Sequence, residues 1–349
     1  MDERTSYITV RDTAQLFLRR WVPASAPPRG VVLAVHGLAE HSGRYRPLAE
    51  TLAAAGIETW CFDLRGHGQT ASLALNSPAI GGLLGHCADR KAFSKLLGDI
   101  DSVFAEIEKA RPGLPRFLLG HSFGSFLAQG YIAYSKRPLA GCALSGTRGP
   151  GGAPLVAAAH FFNLYRFFRG RRHRSRFAAS LVLGANNKPF RPNRSAADWL
   201  SRDSAEVDAY LRDPLCGGLC SAGFFRDMVW ILQKIHTSSA MAKIKKDLPL
   251  YIFSGSDDPV GGMGKSTGCL LARYKQEGLS DIEYVLYPNA RHEPLHEINR
   301  GEVMANLVEW LDRHIAGGGP IHDAPAHGSV IHGGKGSRAG RKTKLTMEM

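Results

Sequence analysis

Short, almost wholly apolar runs, each stopped by glycine or a polar residue, set the narrowest limits on how this chain can fold. Val31-Val32-Leu33-Ala34-Val35 stops at His36-Gly37, Thr59–Phe62 at Asp63, Arg116–Leu119 at Gly120, and Ala140–Leu144 at Ser145-Gly146. A strand with one face in water alternates polar and apolar residues; a run with no alternation must be covered on both faces. Between these runs, Tyr45–Ala55 and Lys91–Ala110 have the helical period. In the second, Phe93, Leu96, Leu97, Ile100, Val103, Phe104 and Ile107 share one stripe. Strand and helix taking turns predict an α/β fold with a mostly parallel central sheet and helices on both faces. Alternating patterns around Tyr7–Val10 and Leu16–Val22 predict two antiparallel strands ahead of it.

The rhythm breaks at about residue 147 and resumes at 248, with strands at Leu248–Ser254 and Ile282–Tyr287 and a closing amphipathic helix at Glu302–Ile315. The expected organisation is therefore a core of 1–147 and 248–315, interrupted by a helical cap over 148–247. From 316 to 349 the chain is rich in Gly, His, Lys and Arg without an apolar period, which reads as a disordered basic tail. The six cysteines form no CxxC pair and no zinc-spaced set with histidine, so reduced thiols in a cytoplasmic protein are expected. The start, Met1-Asp2-Glu3-Arg4, has no apolar stretch behind a basic segment, and no run of 18 apolar residues occurs.

Gly120-His121-Ser122-Phe123-Gly124 lies between the strand Arg116–Leu119 and an apolar helix beginning near Phe126. A serine on that junction stands clear of the sheet with a helix N-terminus beneath it, where developing negative charge is favoured. A strand–turn–helix junction capped by serine has the same sequence, so the motif needs support. A serine hydroxyl becomes a nucleophile only beside a base, itself oriented by a carboxylate. Gly255-Ser256-Asp257-Asp258-Pro259 follows one later strand, and Pro288-Asn289-Ala290-Arg291-His292-Glu293 the next, in the order acid then histidine. His292 is preferred to His296 as the base, and Asp258, stiffened by Pro259, is preferred to Asp257. Phe123 N–H, next to the nucleophile, and Leu38 N–H, in the loop after the first central strand, are the candidate oxyanion donors.

Residues His36-Gly37-Leu38-Ala39-Glu40-His41-Ser42-Gly43-Arg44-Tyr45, Asp63-Leu64-Arg65-Gly66-His67-Gly68, the Ser122 pentapeptide, Gly255–Asp258 and Tyr287–Glu293 together resemble the monoacylglycerol lipase and lysophospholipase branch of the α/β-hydrolases, also called the serine aminopeptidase S33 group. The resemblance covers roughly 8–147 and 248–315. It implies a Ser122–His292–Asp258 triad, since the group's Gly-x-x-Asp spacing ends on Asp258, with Leu38 and Phe123 as oxyanion donors and no cofactor. Glu40, His41, Arg44 and Tyr45 are then anchors of their loop, and 63–68 a tight turn with a buried ion pair.

The cap decides what enters. Phe161, Leu164, Tyr165 and Phe168 fall on one helical face and are the candidate substrate contacts, with Arg166, Arg169, Arg171, Arg172, Arg174 and Arg176 beside them. An apolar face next to arginines suits an amphiphilic substrate or peripheral contact with an anionic membrane, though a helix packed on the core with a solvated basic end reads the same. Lipid-type esters such as monoacylglycerols or lysophospholipids are the expected substrates, ahead of other carboxylic esters and thioesters. Peptides are disfavoured because the arginines repel a free ammonium group, although Asp203, Glu206, Asp208 and Asp213 keep that option open. A non-catalytic binding protein would be expected to lack a triad member. The net charge of +13 by itself argues for no nucleic-acid partner, and His322, His327 and His332 lack companions for a metal site.

Overall fold

The structure, a computed structural model, describes residues 1–317 apart from Ala74; the tail from 318 to 349, with its three histidines, lies outside the described residues. The apolar runs form one eight-stranded sheet. Its strands are β1 (Asp2–Thr9), β2 (Gln15–Val22), β3 (Gly30–Val35), β4 (Ile57–Phe62), β5 (Arg116–His121), β6 (Gly141–Ser145), β7 (Leu250–Gly255) and β8 (Ile282–Tyr287). Their order is β1-β2-β4-β3-β5-β6-β7-β8. β1 and β2 pair antiparallel at one edge, and β4 through β8 run parallel.

The unbroken apolarity of β3 has a direct cause. Val31, Leu33 and Val35 enter one core, while Val32 and Ala34 enter the core on the opposite face. Each such valine or leucine contributes about 1.5–3 kcal/mol by leaving water. The first core takes in the stripe of α2 (Ala92–Ala110) and α3 (Phe123–Tyr134), which is buried from Phe123 to Ala133. The second is closed by α1 (Arg46–Ala54) and by α10 (Arg300–Ile315), whose Trp310 stacks on Tyr251 and meets Phe117 edge-on. The remaining core helix, α9 (Lys265–Gln276), joins β7 to β8.

Between β6 and β7 run α4 (Gly152–Arg169), α5 (Arg176–Leu183), a 3-10 segment Gly184–Phe190, α6 (Ser204–Arg212), α7 (Ala222–Ile235) and α8 (Ser238–Met241). α7 carries a continuous buried stripe, Phe224, Phe225, Met228, Ile231, Leu232 and Ile235, and α4 lies across it. The face that α4 turns inward differs from the expected one. Phe162 is its buried residue, stacked on Phe225 with ring centroids 5.4 Å apart. Phe161 and Tyr165 stack on each other half-buried, whereas Leu164 and Phe168 are 61% and 72% exposed. α4 is apolar most of the way round, so its own period does not select a face; the stripe on α7 does.

The turn over 63–68 is built as an anchor. Arg65 pairs with Asp99 at 2.7 Å and with Asp12 at 2.6 Å, so its partners come from α2 and from the β1–β2 turn, not from within the motif. Asp63 instead accepts hydrogen bonds from the N–H groups of Ser42 and Gln69.

Candidate active site

Ser122 sits at the junction of β5 and α3 with φ +50° and ψ −118°, a backbone conformation unfavourable for a side chain other than glycine. The neighbouring glycines make the junction possible. A Cβ on Gly124 would overlap the carbonyl oxygen of Val35, and one on Gly120 the carbonyl of Gly124. α3 therefore crosses the sheet at backbone contact distance, and the Ser122 side chain is pushed out over the strand ends. β3 and β5 are neighbours from which the chain departs to opposite sides, so the loops after them meet at a crevice.

His292, in the loop after β8, places Nε2 2.9 Å from Ser122 Oγ. Its Nδ1 lies 2.9 Å from Asp258 Oδ1, in the loop after β7. With neutral His292, Nδ1–H donates to Asp258 and Nε2 accepts from the Ser122 hydroxyl. Asp258 is fully buried and also accepts from Ser254 Oγ (2.9 Å) and Val260 N–H (2.8 Å). Asp257 takes no part; its carboxylate accepts from Ser256 Oγ in the turn. His296, the competing histidine, faces Glu206 instead, Nδ1 to Oε2 3.3 Å.

Burial disfavours the His292 imidazolium, but the Asp258 carboxylate outweighs it and holds the pKa above the ordinary 6.5. Burial likewise opposes the Asp258 carboxylate, and His292, Ser254 and the Val260 N–H together keep its pKa below the ordinary 3.8. His121, packed against His292 with centroids 5.0 Å apart, is pushed down to about 4, chiefly by burial and then by His292. It is therefore neutral at pH 7.

Leu38 and Phe123 border the same cleft as Ser122. Among the described residues neither backbone N–H has a protein acceptor. The loop that carries Leu38 is held by Glu40, which accepts from Gly37 N–H, from Tyr45 Oη at 3.2 Å and from Arg44 at 2.9 Å. Arg44 in turn makes a bidentate pair with Glu293, beside His292, at 2.7 Å on both arms. Arg44 thus ties the oxyanion-side loop to the histidine loop.

The cleft has a volume of about 140 Å³ and is walled mainly by apolar side chains: Leu38, Phe126, Val182, Met228, Leu232 and Val260. The cap contributes its walls, but not through the residues expected. Phe161, Leu164, Tyr165 and Phe168 do not border it; Val182 and Leu183 at the end of α5, Asn186 in the 3-10 segment after it, Trp199, Leu200, Tyr210, Met228 and Leu232 do. Trp199 lies over the His292 ring at 4.9 Å, and its carbonyl accepts from His292 N–H. The one legible sign of this was a lone tryptophan in a segment with no apolar period. Among the described residues, His41, Asp213 and Cys216 are the one group whose donor atoms come together as a metal site would need. It sits outside the cleft, with Asp213 already 2.9 Å from His41 Nε2.

The chain is similar to several known proteins. Residues 26–299 match the family model described as serine aminopeptidase, S33. A monoacylglycerol lipase of Mycolicibacterium smegmatis is 29% identical over 304 residues, covering 84% of this chain and 92% of the relative. The monoglyceride lipase of Homo sapiens is 29% identical over 306 residues, covering 82% and 86%. Among solved structures, a thermostable carboxyl esterase from Bacillus coagulans superposes with a TM-score of 0.81 at 24% identity, over 90% of this chain and 99% of that one. With its family model matched over most of its length and its strand order and junction as described, the chain belongs to the serine aminopeptidase S33 family of α/β-hydrolases.

Proposed function

We propose that this serine ester hydrolase cleaves lipid-type carboxylic esters, of which monoacylglycerols are the nearest model, through an acyl-enzyme on Ser122. The observation that carries the reading is the unbroken Ser122–His292–Asp258 chain at the base of an apolar cleft. Ser122 Oγ attacks the ester carbonyl carbon while His292 Nε2 takes its proton, and the N–H groups of Leu38 and Phe123 receive the oxyanion. Collapse expels the alcohol with the proton from His292. Water, activated by the same ring, then releases the acid. The relatives named as monoacylglycerol lipases support the lipid class.

Peptide substrates fit less well. An aminopeptidase needs a free carboxylate for the substrate ammonium, and the candidates are already paired: Asp203 with Arg300, Glu206 with His296, Asp208 with Arg194, and Asp213 with His41. None of the four borders the cleft.

Peripheral membrane contact is supported by the outer surface of the cap. Leu164, Phe167, Phe168, Phe177 and Leu181 are each more than half exposed, on the two helices that bracket the arginine cluster. Among the described residues no helix is long and apolar enough to cross a membrane. A cytoplasmic setting rests on the six free thiols.

The decisive experiment combines a fluorophosphonate probe with a monoacylglycerol turnover assay. Native protein should label and release fatty acid, and Ser122→Ala should do neither. A native chain that fails to label would remove the hydrolase reading.

A further inference from the structure

Arg148 faces the same cleft and has no role in the triad. It lies just past the end of β6, the strand between β5, which presents Ser122, and β7, which leads to Asp258. Its backbone is fixed from both sides. Gln129 Nε2 donates to Thr147 Oγ1 at 2.9 Å and to the Arg148 carbonyl at 3.2 Å, and Gly149 N–H donates to Ser266 Oγ at 3.0 Å. The side chain is half-buried, and its Nε is shut off from water without an acceptor.

Among the described residues the Arg148 guanidinium makes no hydrogen bond and no ion pair. Four other arginines also have a buried, unpaired Nε, namely Arg19, Arg171, Arg273 and Arg313. Each of those still reaches a carboxylate through a terminal nitrogen: Glu3, Asp227, Glu277 and Glu283 respectively. Arg148 does not. The acidic groups around the cleft are engaged elsewhere. Glu40 and Glu293 share Arg44, and Asp258 is saturated by His292, Ser254 and Val260. A guanidinium Nε shut off from water without an acceptor is costly, and an incoming anion with two oxygens would engage the Arg148 fork bidentately.

We propose that Arg148 binds a carboxylate or phosphate carried by the ester substrate, so that anionic esters are preferred over neutral ones. This rests on the reading of Ser122 as an ester-cleaving nucleophile. Leu232, Met228 and Val260 line the same cleft and can take the hydrocarbon part, and the cation takes the charged group. Neutral monoacylglycerols would then be turned over without using Arg148.

Two matched pairs of esters test this and identify where the charge is carried. p-Nitrophenyl butyrate against p-nitrophenyl hydrogen glutarate puts a carboxylate on the acyl part. 1-Butyryl-glycerol against its 3-phosphate puts a phosphate on the alcohol part. In at least one pair, native kcat/KM should favour the charged member by about tenfold to a hundredfold, the range for one hydrogen-bonded charge. Arg148→Gln should bring that ratio towards one, and Arg148→Lys should retain much of it. A native ratio at or below one in both pairs overturns the proposal without needing any variant, as does a ratio that Arg148→Gln leaves unchanged. If the neutral esters are cleaved and Ser122 labels while the ratio is one, Arg148 alone is misassigned. If nothing is cleaved and nothing labels, the hydrolase reading fails and takes this proposal with it.

Discussion

Ser122 pairs a strained backbone with a side chain half-buried at the cleft floor, and its chemistry is set by the ring beside it. His292 must be neutral to accept the Ser122 proton. Because Asp258 holds the His292 pKa above 6.5, more than half of the rings still carry the extra proton at pH 6.5, and the base is blocked there. Activity should therefore rise with pH through a midpoint above 6.5, read as the acid limb of kcat/KM. Asp258→Asn removes the opposing charge and leaves burial in command. It should shift that midpoint downward and lower kcat by about 10³–10⁴-fold, since the amide no longer fixes the tautomer. An unshifted acid limb in Asp258→Asn would show that another group controls it.

The junction of β5 and α3 is where a single element decides whether the site exists. Gly124 lets α3 pass against the backbone of β3, and any Cβ there meets a carbonyl that belongs to the central strand. Gly124→Ala should cost about 1–3 kcal/mol, as overpacking does in cores, and should also displace Ser122. Urea unfolding with a matched fluorophosphonate assay would register both; full stability with full labelling would mean the crossing is looser than described. This junction was readable in the sequence because paired glycines between an apolar run and an apolar helix mark a place where two backbones touch. The orientation of α4 was not, because Phe161, Leu164, Tyr165 and Phe168 form as good a stripe in isolation as the one around Phe162 that the α7 contact selects.

Across the molecule, the excess positive charge is not spread evenly over the cap. Arg171 and Arg172 are engaged by Asp227 and Asp89, so they serve cap packing rather than an outside partner. Arg169 and Arg176 are exposed and reach no carboxylate among the described residues, and they neighbour Phe168 and Phe177. Native protein should co-sediment with vesicles of phosphatidylserine and phosphatidylcholine, less so at high salt. The combination Phe168→Ser, Arg169→Glu, Arg176→Glu should weaken binding about tenfold or more. Equal binding by the two proteins would remove the membrane surface from the account.

The α/β sheet, the place of the nucleophile and the order in which acid and base follow it are all written along the chain. Those features are local or periodic: an apolar run needs two covered faces, and a close crossing needs glycine. Folding settles what several distant segments do once they are brought together. That Asp258 rather than Asp257 reaches His292 depends on the turn after β7, and that Trp199 covers the ring depends on how the cap is draped. Arg148 illustrates the same limit. One arginine among many in the sequence, it is set apart because folding shuts its Nε off from water without giving it the carboxylate that the other arginines with such an Nε reach, and leaves it facing the cleft.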